Sequence, residues 1–584
     1  MGDMWNHDAR VDKYLYVRSN AFVIRLLGFL GTGATLLMAI GYSKFIGISP
    51  LYLLIFGPVV AIFIFNKLSR YVIQLFYPKF DIAKHNEFIH EYWKTHEKPL
   101  VDIFLPWAGE DLEMHEEVLR AVKNIDYENF KVYMLDDKGS DEHKALAEKY
   151  GFVHLSRPNK GEHKKSGNLE YGYNHSNGKF VFILDADFIP LKSSLTDLIP
   201  YIASDPKIGI LQTPQYLDQH NEVHKRSKIE FGGGNIVEDF YKISQPCRDV
   251  FGAAMCVGTS AVYRREAIDL LHGTPKVHAS EDLATGLLIT EHGYYVKYLP
   301  LIESIGKSPE TYQGYFKQHH RWCSGNLVFA HYWPRANMNV VARLIYMGNP
   351  AYYLSEALGV FFSFHFLALL YFHPDTLSLA NTAYFIPYVI FSRIILPLSK
   401  SEKSKMGTKL AALSNSYTYI YTYLYMLVKG VPTWHPTGVK TSKLHKDFVG
   451  SIDIGIIISS VFLITFLFVI LSRPSVLGNY NNYIVLGWSF YSAVWHSIFL
   501  YEASKFILSN KLNEVDNTFH RVLLYAKAHV VPLLTILLTI TLVGYTVVAL
   551  ENPHAVTVEA IHTVLGIRDE APVVSVLTTV KETN

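Results

Sequence analysis

Apolar runs long enough to cross a bilayer stand at both ends of this 584-residue chain, with a long polar stretch between them. A spanning helix needs about 20 mostly apolar residues. Near the N-terminus Phe22–Tyr42 qualifies, as does Pro50–Phe65 extending toward Phe76. Tyr352–Phe372, Tyr384–Leu398, Ile452–Leu471, Tyr483–Leu500 and Val530–Leu550 follow the polar stretch, which gives about seven spans. Lipid offers no partner to backbone N–H and C=O groups, so each run must be helical and the polar stretch must fold outside the bilayer. The expected order is a tail over 1–20, two spans within 21–76, a soluble domain over 77–335 and spans within 336–400. An interface helix and loop over 401–449, spans within 450–550 and a tail over 551–584 complete it.

Charge orients this array. Lys400, Lys403, Lys405, Lys409, Lys429, Lys440, Lys443 and Lys446 crowd the segment after Leu398, whereas His373–Asn381 has no Lys or Arg. The positive-inside rule places the first segment, and the large domain with it, in the cytosol, and the tail after Glu551 outside. The polar start Met1–Asn20 is not followed by a short hydrophobic core with a small-residue cleavage site, which predicts a retained signal anchor in a multi-pass plasma-membrane protein. Leu410–Val431 mixes apolar residues with Tyr, Ser, Thr and Asn, the pattern of an amphipathic interface helix. With 49% hydrophobic residues and a net charge of +2, the chain suits a lipid bilayer as partner and lacks the basic field that nucleic acid demands. Cys247, Cys256 and Cys323 have no metal-site spacing and read as reduced thiols.

Inside the polar stretch, runs rich in Val, Ile and Phe alternate with helical patterns, as βαβ units do. Val101–Leu105, Lys131–Leu135, Phe152–Leu155, Phe180–Leu184 and Ile208–Leu211 read as strands, and Glu113–Ile125 and Asp141–Tyr150 as helices, the second closed by Gly151. An α/β sheet follows, with ligands expected at the carboxyl ends of its parallel strands.

Acidic residues stand at those ends. Asp136-Asp137 closes one strand and Pro106 to Glu110 closes the one before it, a frame for a base and ribose, although each also suits an ordinary turn. Asp185-Ala186-Asp187 lies between a strand and Phe188-Ile189-Pro190. Mg²⁺ or Mn²⁺ bridged to a diphosphate needs only one or two such carboxylates, while the same tripeptide fits an Asx turn. His163 to Asn168 opens a helical Leu169–His175, where Lys164, Lys165 and free N–H groups favour a phosphate, although the same residues suit a solvated basic turn equally well. Glu281-Asp282 precedes a helical Leu283–Thr290 and offers either a base for an acceptor hydroxyl or a plain helix start. Gln318-His319-His320-Arg321-Trp322 places Gln318, Arg321 and Trp322 on adjacent parts of one helical face. Arg suits a diphosphate and Trp a sugar ring, though a lone Arg-Trp pair is also a membrane anchor.

Taken in order, Leu135-Asp136-Asp137, Asp185-Ala186-Asp187, Ser280-Glu281-Asp282 and Gln318–Trp322 resemble the D, DxD, xED and QxxRW pattern of the processive family 2 glycosyltransferases. These are cellulose synthase and its curdlan, mixed-linkage glucan, chitin and hyaluronan synthase relatives, and the resemblance runs from roughly Lys98 to Lys440. It implies an α/β GT-A domain, with a mixed and mainly parallel sheet, inserted in a helical transmembrane domain with amphipathic interface helices. It implies a UDP-sugar donor held by Asp137 with Pro106, Glu110 and Lys165, and a Mg²⁺ or Mn²⁺ cofactor on Asp185 and Asp187, with Asp185 also on UDP. Asp282 would be the general base beside Glu281, and Gln318, Arg321 and Trp322 would hold diphosphate and acceptor. Met255–Arg265 is similar to an acceptor motif of bacterial cellulose synthase, so that Val257, in place of its Cys, and Gly258 would meet the growing polysaccharide. Thr433–Lys440 occupies the place of a gating loop and implies donor contacts from Trp434 and Thr437. Its spacing looks closer to curdlan-type and mixed-linkage glucan synthases. No cyclic-di-GMP-binding module is expected after the last span.

The resulting expectation is an inverting, metal-dependent membrane synthase that extends a β-glucan from UDP-glucose and secretes it, with β-1,4, β-1,3 or mixed linkage. A hyaluronan- or chitin-type synthase using UDP-GlcNAc, a non-processive lipid-directed transferase, and a transport or scaffold protein with an inactive nucleotide-sugar fold are the alternatives.

Overall fold

The computed structural model describes residues 11–46, 50–218, 228–277, 280–309, 311–329, 336–399, 405–432 and 445–511. The chain divides into two compact units, Met1–Phe362 with Ala383–Ile457, and Ser363–Thr382 with Ile458–Asn584.

In the first unit the expected strands form as β1 (Val101–Trp107), β2 (Phe130–Asp136), β3 (Val153–Leu155), β4 (Phe180–Ile183) and β6 (Ile208–Gln212). Five further strands were not anticipated: β5 (Phe188–Pro190), β7 (Tyr216–Asp218), β8 (Ala261–Arg264), β9 (Tyr295–Tyr298) and β10 (Ser304–Lys307). Each has only three or four residues, too few for alternation to register. The main sheet runs β3-β2-β1-β4-β8-β6-β9 and the small one β5-β10-β7. β8 is antiparallel to β4 and β6, and β10 to β5; all other pairs are parallel.

All seven residues of β1 are buried, as a central parallel strand covered on both faces requires. The helix Leu112–Lys123 seals part of this core through Val118, Leu119 and Val122. Asp141–Tyr150 forms the expected helix, with Ser140 at its start and Gly151 in the left-handed conformation at its end. Trp107 lies opposite Asp136 and Phe104 opposite Ile183, so the carboxyl ends of β1, β2 and β4 share one sheet edge. The chain leaves β1 toward β2 and β3 on one side and returns to β4 on the other, which opens a crevice at that edge.

Among the described residues five helices are long and apolar enough to cross a membrane: Ala21–Phe45, Leu53–Gln74, Leu379–Leu398, Lys446–Ser472 and Tyr480–Lys505. A sixth is added if Val340–Gly359 and Phe361–Phe372 make one bent span. The single run expected over Tyr352–Phe372 therefore begins earlier and is broken beside Gly359, a residue that weakens the helical ladder. The first two helices approach closely at Gly28 and Gly31, where a Cβ would stand 2.8 Å from Gln74 and 2.7 Å from Tyr71. The helix Lys405–Lys429 forms where the interface helix was expected; it is not among the spanning helices and buries Tyr417 and Tyr419. In the second unit, Ser363 donates to Ser492 (2.9 Å) and His496 meets Ser459 (3.0 Å). The expected loop Thr433–Lys440, the run Val530–Leu550 and the tail after Glu551 lie outside the described residues.

Candidate active site

The crevice lies wholly in the first unit, and its wall brings together Pro106, Glu110, Asp137, Lys165, Asp185, Asp187, Val257, Glu281, Asp282, Gln318, Arg321 and Trp322. Each of these was singled out from sequence. Trp434 and Thr437 lie outside the described residues.

Local chemistry at each strand end explains the placement. After β1, Trp107 Nε1 donates to the Glu110 carbonyl (3.0 Å) and the Ala108 N–H to Glu110 Oε2 (2.6 Å), which folds the turn into the crevice. After β2, Asp136 accepts from the N–H groups of Lys138, Gly139 and Ser140 (2.8, 2.8 and 2.7 Å) and fixes the loop that carries Asp137. Asp137 Oδ1 itself accepts from Arg157 Nε (2.6 Å) and the Gly161 N–H (2.9 Å). Arg157, 1% exposed, neutralises that carboxylate and was not foreseen.

After β4, the Asp185 N–H donates to Thr259 Oγ1 (2.8 Å), and the Asp185 carboxylate pairs with Lys165. Lys165 also donates to the Gly258 carbonyl (3.0 Å). The helix bearing Lys165 starts at Lys164, earlier than the expected Leu169, after His163 and Lys164 take φ of 52° and 50°. Lys165 thus sits in a helical first turn, where positive charge and N–H groups combine.

Glu281 and Asp282 open the helix Glu281–Leu288. Its N-cap, Ser280, is left-handed and makes no side-chain capping bond, so the residues there do not act as a simple cap. A Cβ on Gly258 (φ 84°) would stand 2.7 Å from Asp282 Oδ2, so only glycine lets the 257–258 turn pass this close to the acid.

Gln318, Arg321 and Trp322 share one face of the helix Tyr312–Phe329. On the other face His319 Nδ1 meets the Tyr419 hydroxyl (2.9 Å) and His320 Nδ1 the Thr422 hydroxyl (2.7 Å) of Lys405–Lys429. The QHHRW segment is two-sided: three residues line the crevice and two fasten the helix that carries them.

Six carboxylates, Glu110, Asp137, Asp185, Asp187, Glu281 and Asp282, face three cations, Lys165, Lys307 and Arg321. Burial, with Asp185 and Glu110 adding to it, pushes Asp187 up to about 7. Burial and the neighbouring Glu281 likewise raise Asp282 to about 7 against the opposing pull of Lys165. Burial works against the charge on Lys165, but Asp185 and Glu281 outweigh it and hold its pKa above the ordinary value. A buried surplus of hard carboxylate oxygens is a donor set suited to a divalent cation such as Mg²⁺ or Mn²⁺.

Sequence reasoning missed Trp107, Asn168, Gln215 and Lys307 in the wall. Asn168 donates to the Leu135 carbonyl (2.7 Å) and Gln215 to the Val257 carbonyl (2.9 Å), so both hold the backbone of site loops. Trp107 and Asn168 adjoin residues already singled out, and that adjacency was the available signal. Gln215 and Lys307 come from or beside the unanticipated small sheet and carried none.

Residues 101–325 match the family described as "Glycosyltransferase like family 2". The chain is 27% identical over 368 residues to a cellulose synthase 1 catalytic subunit (UDP-forming) of Komagataeibacter xylinus, covering 60% of this chain and 48% of that protein. It is 29% identical over 231 residues to a cellulose synthase catalytic subunit (UDP-forming) of Pseudomonas fluorescens (strain SBW25), covering 39% of this chain and 31% of that protein. The chain spans less than half the length of these curated relatives. Among solved structures, a Pyrobaculum calidifontis mannosyltransferase in complex with GDP-Man and Mn²⁺ is similar at 16% identity and a TM-score of 0.44, over 63% of this chain and 99% of that one. The family match and the mixed, mainly parallel sheet together identify residues 101–325 as a family 2 glycosyltransferase-like domain of GT-A fold, flanked by apolar helices and homologous to the catalytic subunits of bacterial cellulose synthases.

Proposed function

We propose that this chain is a multi-pass, inverting membrane glycosyltransferase that polymerises glucose from UDP-glucose into a β-glucan of β-1,4, β-1,3 or mixed linkage. Its catalytic domain faces the cytosol at the plasma membrane, and the same chain carries the product across. One observation supports this above others: an acid held near pH 7, two diphosphate-grade cations, a carboxylate pair and an indole converge on a single crevice.

In this reading Asp282 removes the acceptor hydroxyl's proton as that oxygen attacks the anomeric carbon. A carboxyl near 7 is matched to this work, being half ionised at neutral pH yet basic enough to hold the proton. One displacement with one base inverts the anomeric centre. Lys165 and Arg321 grip the diphosphate as negative charge gathers on the leaving UDP. Asp185 and Asp187 would hold Mg²⁺ or Mn²⁺, which supplies further positive charge there. Asp137, oriented by Arg157, and Glu110 take the uridine side. Gln318, Trp322 and the Val257-Gly258 turn take the acceptor side, the indole face stacking on sugar C–H groups. The cellulose synthase names of the relatives support glucose and a polymeric product.

The test is synthesis by purified protein in liposomes supplied with Mg²⁺ or Mn²⁺ and a panel of UDP-sugars, followed by linkage analysis. UDP release and a long glucan from UDP-glucose are expected. A GlcNAc-containing polymer would replace the glucan reading, single sugars on lipid would remove processivity, and no UDP release from any donor would remove the transferase.

A further inference from the structure

Asp136, the neighbour of Asp137, does not line the crevice. It is fully buried and belongs to a second cluster behind the donor loop. His143 reaches it from the helix Asp141–Tyr150 and His154 from β3, and one ligand atom of each of the three lies within 4.8 Å of the others. His143 Nδ1 is 3.7 Å and His154 Nε2 3.0 Å from Asp136 Oδ2. Zinc ligands at about 2.0–2.2 Å sit roughly 3.3 Å from one another in a tetrahedron, and these two separations bracket that value.

A second observation comes from His143. Its side chain is 0% exposed, and neither ring nitrogen has a hydrogen-bond partner. The ring is stacked between Trp107 (centroids 4.4 Å apart, 13° between planes) and His115 (5.1 Å, 29°). A phenylalanine would fill that slot equally well. An imidazole whose two nitrogens are dry and unpaired is a net cost to the fold unless one of them serves a ligand.

We propose that Asp136, His143 and His154 bind one transition-metal ion of the Zn²⁺ class, which braces the donor loop from behind and is distinct from the crevice cation. Two imidazoles and one carboxylate favour Zn²⁺ over Mg²⁺, in contrast to the all-carboxylate Asp185 and Asp187, and a water completes four-coordination. Without the ion, His154 Nε2 donates its proton to Asp136 Oδ2 (3.0 Å); in binding, that proton moves to Nδ1 and the Nε2 lone pair takes the ion, so no net proton is released. The ion ties together β2, β3 and the helix Asp141–Tyr150, and so pins the loop whose N–H groups Asp136 already holds.

The experiment uses the full chain in detergent, purified without a histidine tag, incubated with Zn²⁺, desalted and analysed for metal. Roughly one equivalent is expected in the wild type and in Asp187→Ala, and none in His143→Phe with His154→Phe, which keeps the ring volumes. Co²⁺ loading of the wild type, which needs no folded variant, should give the visible absorption of a tetrahedral ion, and Zn²⁺ should raise the wild-type Tm. No retained Zn²⁺ in the wild type, equal retention in the double variant, or loss of the ion in Asp187→Ala would each overturn the site.

Discussion

Gly258→Ala tests whether Asp282 acts from a fixed position. A Cβ at residue 258 would stand 2.7 Å from Asp282 Oδ2 and 2.9 Å from its Cβ, at a backbone φ of 84°. Two effects follow and can be separated. The left-handed conformation costs an L-residue about 1–2 kcal/mol wherever it occurs. The overlap then forces Asp282 or the turn to move by roughly 0.7 Å to reach ordinary contact, and errors near 1 Å cost on the order of 10²-fold in rate. Gly293 is the matched control, with φ 82° and nothing within 4 Å of its would-be Cβ. Both variants, Gly258→Ala and Gly293→Ala, should lose thermal stability to the left-handed strain, Gly258→Ala more because of the overlap, while only Gly258→Ala should lose about 10- to 10²-fold in UDP release at saturating donor. Because the Gly258 carbonyl also receives Lys165, a modest loss of UDP affinity accompanies the change. Turnover of Gly258→Ala within a few-fold of Gly293→Ala, or a defect confined to UDP affinity, would refute the reasoning.

Asp282→Asn keeps the side chain's shape but cannot take a proton, so turnover should fall by about 10²–10⁴-fold with UDP affinity retained; activity within a few-fold of wild type would exclude the base. EDTA should stop synthesis and Mg²⁺ or Mn²⁺ restore it, but not in Asp187→Ala. Since the Asp187 carboxyl, near 7, must lose its proton to hold the ion, calorimetric Mn²⁺ affinity should weaken as pH drops below about 7, and pH-independent binding would count against this assignment. Trp322→Ala removes a stacking surface worth about 1–3 kcal/mol and should shorten the polymer while sparing UDP binding; unchanged chain length would rule the plate out. Trp434→Ala with Thr437→Ala should cut synthesis strongly while folding and insertion persist, as loss of a closing loop would; a normal rate would make the loop a connector.

What could be read from sequence and what could not follows from range. β1, β2, β4 and β6 are runs of buried apolar residues with local turn signals at their ends, so their positions follow from neighbours along the chain. Asp137, Asp185 and Asp282 were legible for the same reason, each standing at an element's end, whereas Arg321, in the middle of the helix Tyr312–Phe329, was legible from its place in the Gln318–Trp322 segment. Arg157 was not, because its meaning is a pairing with Asp137 twenty positions away, and nothing near Arg157 announces that partner. β8 is invisible for a related reason: its four residues become a strand only by insertion between β4 and β6, antiparallel to both. His319 and His320 looked like part of a catalytic motif, yet their rings are occupied by Tyr419 and Thr422, residues a hundred positions onward that only the fold brings near.

The crevice is built against the fold's own stability. Asp187 and Asp282 ordinarily titrate near 3.8 and here do so near 7, so between those values the folded chain holds more protons than the unfolded one. Their contribution to stability is intact below about 4 and is lost as pH rises through about 7, which leaves the metal-free site repulsive under neutral conditions. With Asp137 answered by Arg157, five carboxylates still face three cations, an excess of two negative charges once Asp187 and Asp282 have lost their protons. A diphosphate alone would deepen that excess. In the proposed reading a divalent ion would cancel it and give the phosphate oxygens a partner, so cation and donor would each raise the other's affinity by the same factor. On that reading, the imbalance that weakens the fold at neutral pH would select a diphosphate accompanied by its metal over any anion arriving without one.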